Sequence, residues 1–151
     1  MVKKNLSGSS QPVRYSLKRN EILRGEKQYQ RIIYSGKVLK AGIIQCYYVI
    51  ENIRSEISRS AIRVGVSVPQ RRVRKAVDRN RLKRLMRESF RIHKPMLVEQ
   101  LQKKRSYMDV LFIYRGKAGK IPRYMKLSDV LPDMIRSVEL LKDRIKEGSE
   151  K

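Results

Sequence analysis

The residues of this chain with the clearest chemical potential form a run of cations between Arg71 and Arg91. The run reads RRVRKAVDRNRLKRLMRESFR and sets ten Lys or Arg residues against two acids, Asp78 and Glu88. Such a density of like charge repels itself and is relieved by a polyanion. Phosphate suits both kinds of side chain, because Arg offers a planar fork of donors and Lys a compact point charge.

The order of these cations adds to their number. At 100° per residue, one connected arc of a helix would carry Arg79, Lys83, Arg87, Asn80, Arg91 and Arg84. The same helix has an apolar stripe to bury, made of Leu82, Leu85, Met86 and Phe90. Such a helix docks on its own domain through the stripe and holds phosphates with the rest.

A basic run on a helix is most often only a solvated face. Here the run belongs to a chain with 37 Lys and Arg against 14 Asp and Glu, a formal net charge of +23 and a pI near 10.6. Repulsion on this scale favours a nucleic acid or an anionic membrane surface as partner. The membrane is the minor alternative, because the apolar stripe is narrow and Ser89 interrupts it.

Residues for self-sufficient catalysis are scarce. A nuclease needs clustered carboxylates for two metals, or a constellation of acid and base groups. This chain has one histidine, His93 at the end of the basic run, and Asp109 as the one acid inside a strong strand pattern. The basic stretch Arg115–Lys120 lacks the spacing of a nucleotide-binding loop and is interpreted as a connector. The composition therefore predicts a binding protein.

The length of 151 residues predicts one domain, over 15–146, between a flexible basic arm at 1–14 and a tail at 147–151. No apolar run approaches the roughly 20 residues that span a bilayer, and the N-terminus lacks the apolar centre of a secretory signal. The single cysteine, Cys46, is interpreted as a core residue and fits a cytoplasmic location.

The elements that must position the basic run can be predicted from the sequence pattern. A short helix over 25–34 ends at Gly36, and the basic helix runs from about Val73 to about His93, with Pro95 limiting its extension. Two strands precede the basic helix, Ile43–Ile50 and Ala61–Val68.

After the basic helix, Met96–Leu101 is a candidate further helical turn. The most apolar strand pattern, Tyr107–Tyr114, predicts a central position in the sheet. A last helix starts near Ser128, with Ile135, Val138, Leu141 and Ile145 as its packing face. A strand, a helix and a strand in succession indicate a crossover unit.

Two segments carry a specific family signature. With R-V-G-x-S-V at Arg63–Val68 and A-V-x-R-N-R-x-K-R-x-x-R-E at Ala76–Glu88, the chain resembles the protein component of bacterial ribonuclease P. The resemblance extends to Ile22–Arg24, Tyr29–Arg31 and Gly36, and covers roughly residues 15 to 145.

The resemblance implies an α/β (α+β) two-layer sandwich, with a small mixed sheet, helices and a left-handed βαβ crossover. It also implies an accessory subunit of an endoribonuclease, in which the RNA subunit uses Mg²⁺ to remove the 5′ leader of precursor tRNA. The expected partners are ribonuclease P RNA and precursor tRNA, with no membrane and no small-molecule substrate. No catalytic residue and no dedicated metal site are expected in the protein.

Carried onto this sequence, the resemblance implies two groups of binding residues. Those for the RNA subunit are Arg71, Arg72, Lys75, Arg79, Asn80, Arg81, Lys83, Arg84, Arg87 and Arg91. Those for the leader are Tyr29, Ile33, Tyr47, Arg63 and Ser67. Asn80 either bonds RNA or braces the helix, and each tyrosine either stacks on a base or packs in the core.

The chain departs from the family pattern at two places. Ile33 stands where an aromatic residue is common, and the turn Pro69–Lys75 is one residue longer, with Arg74-Lys75 in place of Gly-Asn. Two other functions compete with the accessory-subunit interpretation. A ribosomal or ribosome-assembly protein would explain the charge but not the R-N-R run, and an autonomous nuclease is opposed by the lack of clustered acids.

Overall fold

The computed structural model of the chain describes residues 17, 19–53, 61–116 and 126–148. The predicted arm at 1–14 and most of the predicted connector after Arg115 lie outside these residues. Among the described helices, none is both long enough and apolar enough to cross a membrane.

The described residues form three α-helices and one four-stranded sheet, which confirms the predicted combination of a small mixed sheet with helices. After a 3₁₀ turn at Arg19–Glu21, the elements are α1 (Glu26–Ser35), β1 (Lys37–Ala41), β2 (Ile44–Asn52), β3 (Ile62–Ser67), α2 (Ala76–Lys103), β4 (Ser106–Tyr114) and α3 (Leu127–Gly148). The strand order is β1-β2-β4-β3. The β1–β2 and β2–β4 pairs are antiparallel, and β3 pairs with β4 in parallel.

The helix α2 connects the two parallel strands, which confirms the crossover unit and the central position of β4. The left-handed sense of this crossover stays a prediction. The predicted tail at 147–151 begins inside the last helix, because α3 continues to Gly148.

The two faces of the sheet are covered by different helices. Alternate residues of β4 point to opposite faces, and Val110 and Phe112 join the main core with α2 and α3. Leu111, between them, packs on the other face with Leu23 and Ile32, which lies on α1. The main core contains most of the buried apolar residues, and the cluster under α1 is small.

The helix α2 is longer than predicted, because it continues through Pro95 to Lys103. A proline inside a helix loses one backbone hydrogen bond and costs about 3 kcal/mol. The turns beyond it bury Leu97 and Leu101 completely against the main core. Burial of two leucines contributes about 1.5–3 kcal/mol each, which offsets the proline.

The strand β1 was not predicted, because its sequence KVLKA contains two Lys and one Ala, which are poor strand formers. It pairs with β2 through a two-residue turn, Gly42-Ile43, in which Gly42 has a positive φ of 59°. Asp133 of α3 accepts a hydrogen bond from the Ile43 N–H at 3.0 Å. The last helix therefore fixes this hairpin turn.

The segment before α1 covers the outer edge of β3. Ile22 forms a parallel bridge with Val64, and the Leu23 N–H donates to the Val64 carbonyl at 2.8 Å. Glu21 and Lys94 form a buried ion pair at 3.0 Å, which ties the segment to α2. A covered edge cannot pair with another chain.

Candidate nucleic-acid interface

The first half of α2 and the turn before it present a cationic surface. Of the ten residues predicted to bind the RNA subunit, the exposed ones are Arg71, Lys75, Asn80, Arg84 and Arg87. The other five are half-buried, namely Arg72, Arg79, Arg81, Lys83 and Arg91. Within the described part of the chain, the Asn80 amide makes no hydrogen bond that would brace the helix.

Two of the half-buried arginines hold the turn that leads into α2. The Arg79 guanidinium donates from Nη1 to the carbonyls of Val73 at 3.0 Å and of Arg74 at 2.6 Å. The Arg72 guanidinium donates to the carbonyl of Gly116 at 3.0 Å, at the end of β4. These two guanidinium groups therefore donate hydrogen bonds to the protein itself, although the resemblance predicted that they bind RNA.

Arg91 has a carboxylate partner one turn earlier on the same helix. Its Nε donates to Glu88 Oε2 at 3.0 Å, and its Nη2 contacts the second oxygen. The hydrogen bond from Arg91 lowers the pKa of Glu88 below its usual value. Glu88 thus cancels one of the charges that the sequence assigned to the basic face.

Four of the five predicted leader residues, Tyr29, Tyr47, Arg63 and Ser67, lie on the side of the sheet that carries α1. Tyr29 lies so close to Gly65 of β3 that a Cβ there would be 2.9 Å from Tyr29 Cε1. Tyr47 lies on β2 opposite Leu111, and both tyrosines pack against the small cluster under α1 while staying half-buried. Each ring therefore belongs partly to the core and partly to the surface.

A row of three side chains, two of them polar, lies beside these rings and is called the polar row here. The strand register places Gln45 opposite Ile113 and Ile113 opposite Ser67, and all three are half-buried. Gln45 Nε2 donates to the Tyr47 hydroxyl at 2.9 Å. Ile33 does not join the row or the cluster, because it lies on the outer side of α1 with 43% of its surface exposed.

Arg63 is held by an acid on the neighbouring strand. Its Nε and Nη2 donate to the two oxygens of Asp109 at 2.9 and 2.8 Å, and Arg31 of α1 donates to the same carboxylate at 2.5 Å. The hydrogen bond to Asp109 raises the pKa of Arg63. The sequence marked Asp109 as the one acid inside a strong strand pattern but did not identify its partners, although a charge inside an apolar strand requires one.

A cleft of about 540 Å³ connects the two predicted regions. It is lined by Arg24, Tyr29, Gly65 and Val66, and by Arg87 from α2. A predicted leader residue and a predicted RNA-subunit residue therefore share one concave surface. Arg24 is a further exposed cation there, and the sequence signal for it is the match at Ile22–Arg24.

Two other groups considered in the sequence have structural roles. His93 Nδ1 lies 3.0 Å from the Ser89 carbonyl. Cys46 is buried, and burial raises its pKa far above the ordinary value for a thiol. Among the described residues, no three His, Cys, Asp or Glu side chains come together in a way that could hold a metal ion.

The fold and this surface define a small basic α+β protein in which a cationic helix borders a cleft that Tyr29 lines. The family model for ribonuclease P matches residues 17–134. The chain therefore belongs to the ribonuclease P protein family, and membership implies an RNA partner.

Curated relatives and solved structures agree with this assignment. The chain is 32% identical to the ribonuclease P protein component of Chlorobaculum tepidum over 139 residues, which cover 89% of each chain. It is 32% identical to that of Porphyromonas gingivalis over 128 residues, covering 85% of this chain and 82% of the relative.

Two solved structures share the fold. The RNase P protein of Staphylococcus aureus gives a TM-score of 0.57 at 24% identity, over 81% of this chain and 95% of that one. The RNase P protein of Thermotoga maritima gives a TM-score of 0.59 at 24% identity, over 78% and 94%.

Proposed function

We propose that this chain is the protein subunit of a ribonuclease P ribonucleoprotein. In this proposal it binds the catalytic RNA through α2 and the 5′ leader of precursor tRNA through the opposite sheet face, which carries α1. The RNA subunit, with Mg²⁺, performs the hydrolysis that generates the mature tRNA 5′ end. The observation that carries the proposal is that Tyr29 and Arg87 line the same cleft.

The charge on α2 supports an RNA backbone as the ligand. The four exposed cations Arg71, Lys75, Arg84 and Arg87 make no ion pair with any described carboxylate. Such cations can neutralise RNA phosphates, and binding gains free energy because it releases the cations that are condensed on the RNA. Their mixture of Arg and Lys suits the irregular backbone of a folded RNA.

The sheet face supports a single strand as the second ligand. Unpaired bases stack on aromatic rings, and each such stack contributes about 1–3 kcal/mol. Tyr29 and Tyr47 are packed on the cluster under α1 and therefore hold fixed orientations, while each keeps exposed surface. A ring with a fixed orientation loses less conformational entropy when it binds a base.

Cleavage of precursor tRNA tests the proposal directly. A bacterial ribonuclease P RNA is assayed at near-physiological Mg²⁺ with this protein, without it, and the protein is also assayed alone. We expect stimulation in the mixture and no cleavage by the protein. Tight RNA binding without stimulation would favour a ribosomal or assembly protein, and cleavage by the protein alone would indicate an autonomous nuclease.

The salt dependence of RNA binding tests the basic face. We expect Arg84→Gln and Arg87→Gln each to lower the slope of log K against log salt by about 0.7–0.9, because each removes one phosphate contact. Arg136→Gln, an equal change of charge on an exposed part of α3, is the control. An unchanged slope in the α2 variants would show that these arginines contact solvent and not RNA phosphates.

A comparison of two RNAs tests the predicted leader-binding role of Tyr47. Tyr47→Leu keeps an apolar group against the cluster under α1 but removes the ring. We expect this variant to lose about 1–3 kcal/mol of binding to precursor tRNA and to bind mature tRNA as before. Equal losses for both RNAs would assign Tyr47 to packing alone.

A further inference from the structure

A second cavity, of about 370 Å³, lies at the other end of the sheet from the turn that leads into α2. Its lining includes Lys37 at the start of β1, Asn52 at the end of β2 and Ser106 at the start of β4. The turn before α2 instead contacts Gly116, after the end of β4. The cavity and this turn therefore lie at opposite ends of β4, which is about 26 Å long at 3.3 Å per residue over its eight steps.

The floor of this cavity holds a tyrosine with an unused hydroxyl. Tyr48 is 4% exposed, and its hydroxyl makes no hydrogen bond to any residue that the structure describes. Buried hydroxyls are nearly always hydrogen-bonded. Burial raises the pKa of Tyr48, and the Arg144 charge lowers it in part. At neutral pH the phenol therefore keeps its proton, which it can donate.

The wall of the cavity is cationic. Lys37, Lys104 and Arg144 line it, against one carboxylate, Glu147, which lies 3.7 Å from Arg144. Three cations, one acid and a phenol donor form a set that favours an anion. Ile50 and Ile145 add an apolar side to the same cavity.

We propose that this cavity binds a nucleotide phosphate, with Tyr48, Lys37 and Arg144 as its ligands and the nucleoside against Ile50 and Ile145. The volume lies in the range of sites for small organic ligands, above that needed for a bare ion. The phosphate belongs either to an RNA strand or to a free mononucleotide. This site is separate from the cleft at Tyr29 and does not depend on the proposed function.

Titration of the full-length protein with uridine 5′-monophosphate tests the site. The titration is monitored by NMR through the methyl resonances of the isoleucines. We expect saturable shifts at Ile50 and Ile145 that potassium chloride at equal ionic strength does not produce. Ile92, which is exposed on α2, reports binding to the basic helix instead. Shifts at Ile92 without shifts at Ile50 and Ile145 would overturn the proposal.

Two variants and a matched control identify the ligand residues. We expect Tyr48→Phe and Arg144→Gln each to raise the Kd for uridine monophosphate about tenfold, because each removes one charge-assisted hydrogen bond. Tyr48→Phe keeps the buried ring. Arg136→Gln makes the same change of charge two turns earlier on α3 and should change the Kd less than twofold. Equal effects of Arg144→Gln and Arg136→Gln would show bulk electrostatics and contradict the site.

The source of the phosphate follows from the affinity for ribonuclease P RNA. If an RNA strand fills the cavity in the complex, Arg144→Gln weakens RNA binding and Arg136→Gln does not. If a free nucleotide fills it, both variants bind the RNA equally while Arg144→Gln still loses the mononucleotide. Loss of cleavage stimulation with intact nucleotide binding would affect the proposed function but not this site.

Discussion

The two faces of the sheet differ in how they are covered and in what holds the cover. On one face, α2 and α3 bury a continuous apolar core that includes Met86, Phe90 and Phe112. On the other face, the short helix α1 covers three fully buried residues, and the polar row beside it stays half-buried. The covered face supplies stability, and the half-covered face keeps side chains accessible to a ligand.

The interactions that hold the covers also differ. The α2–α3 side relies on apolar contact area, whose attraction is non-directional. The helix α1 is held by Ile32 and by the Arg31–Asp109–Arg63 cluster, in which one carboxylate joins a helix to a strand. Such hydrogen bonds are directional, so they fix where α1 lies. The cleft beside Tyr29 therefore depends on a few defined contacts.

The largest effect is expected in the main core. Phe90 is fully buried, and its ring lies 5.4 Å from that of Phe112. We expect Phe90→Ala to lower the free energy of unfolding by about 3–5 kcal/mol, because it leaves a cavity. Urea denaturation measures this loss. Val77→Ala on the same helix, at a site that is 77% exposed, should stay within about 0.5 kcal/mol; similar losses in both variants would contradict the assigned core.

The sequence predicted this covered face better than the half-covered one. Apolar periodicity identified β4 and the face of α3, since Val138, Leu141 and Ile145 are buried, with Ile135 half-buried. Val130 and Met134 extend that face. The same logic failed at Pro95 and at β1, because tertiary packing there outweighs local propensity.

For the candidate site, the family motif located the residues but not their partners. Nothing in the R-N-R run indicates that Arg79 caps the preceding turn, or that Arg63 shares Asp109 with Arg31. These contacts join residues far apart in sequence or lie in the irregular turn before α2, where no periodic pattern indicates which groups meet. Tyr29 over Gly65 is likewise a contact between elements, and the glycine alone could not identify its partner.

An intermediate effect is expected where α1 meets the sheet. A methyl group at Gly65 would overlap the Tyr29 ring at 2.9 to 3.0 Å. We expect Gly65→Ala to cost about 1–3 kcal/mol of unfolding free energy, the usual range for overpacking. Tyr29→Leu removes the overlapping atoms, so the double variant should be more stable than the sum of the two single losses. Strict additivity of the two changes, measured by denaturation, would show that the ring does not press on Gly65.

The smallest effect is expected at the Tyr47 hydroxyl, which accepts a hydrogen bond from Gln45 of the polar row. Tyr47→Phe removes the acceptor of the Gln45 hydrogen bond and keeps the ring on the cluster under α1. Because both residues are half-buried, water can replace this bond, and we expect a loss of about 0.5–1 kcal/mol or less in denaturation. The ring face that would stack on a base is unchanged, so precursor tRNA binding should match that of the unaltered protein, unlike that of Tyr47→Leu. Equal weakening in the two variants would assign recognition to the hydroxyl rather than the ring, and the half-covered face would then bind RNA by hydrogen bonding instead of stacking.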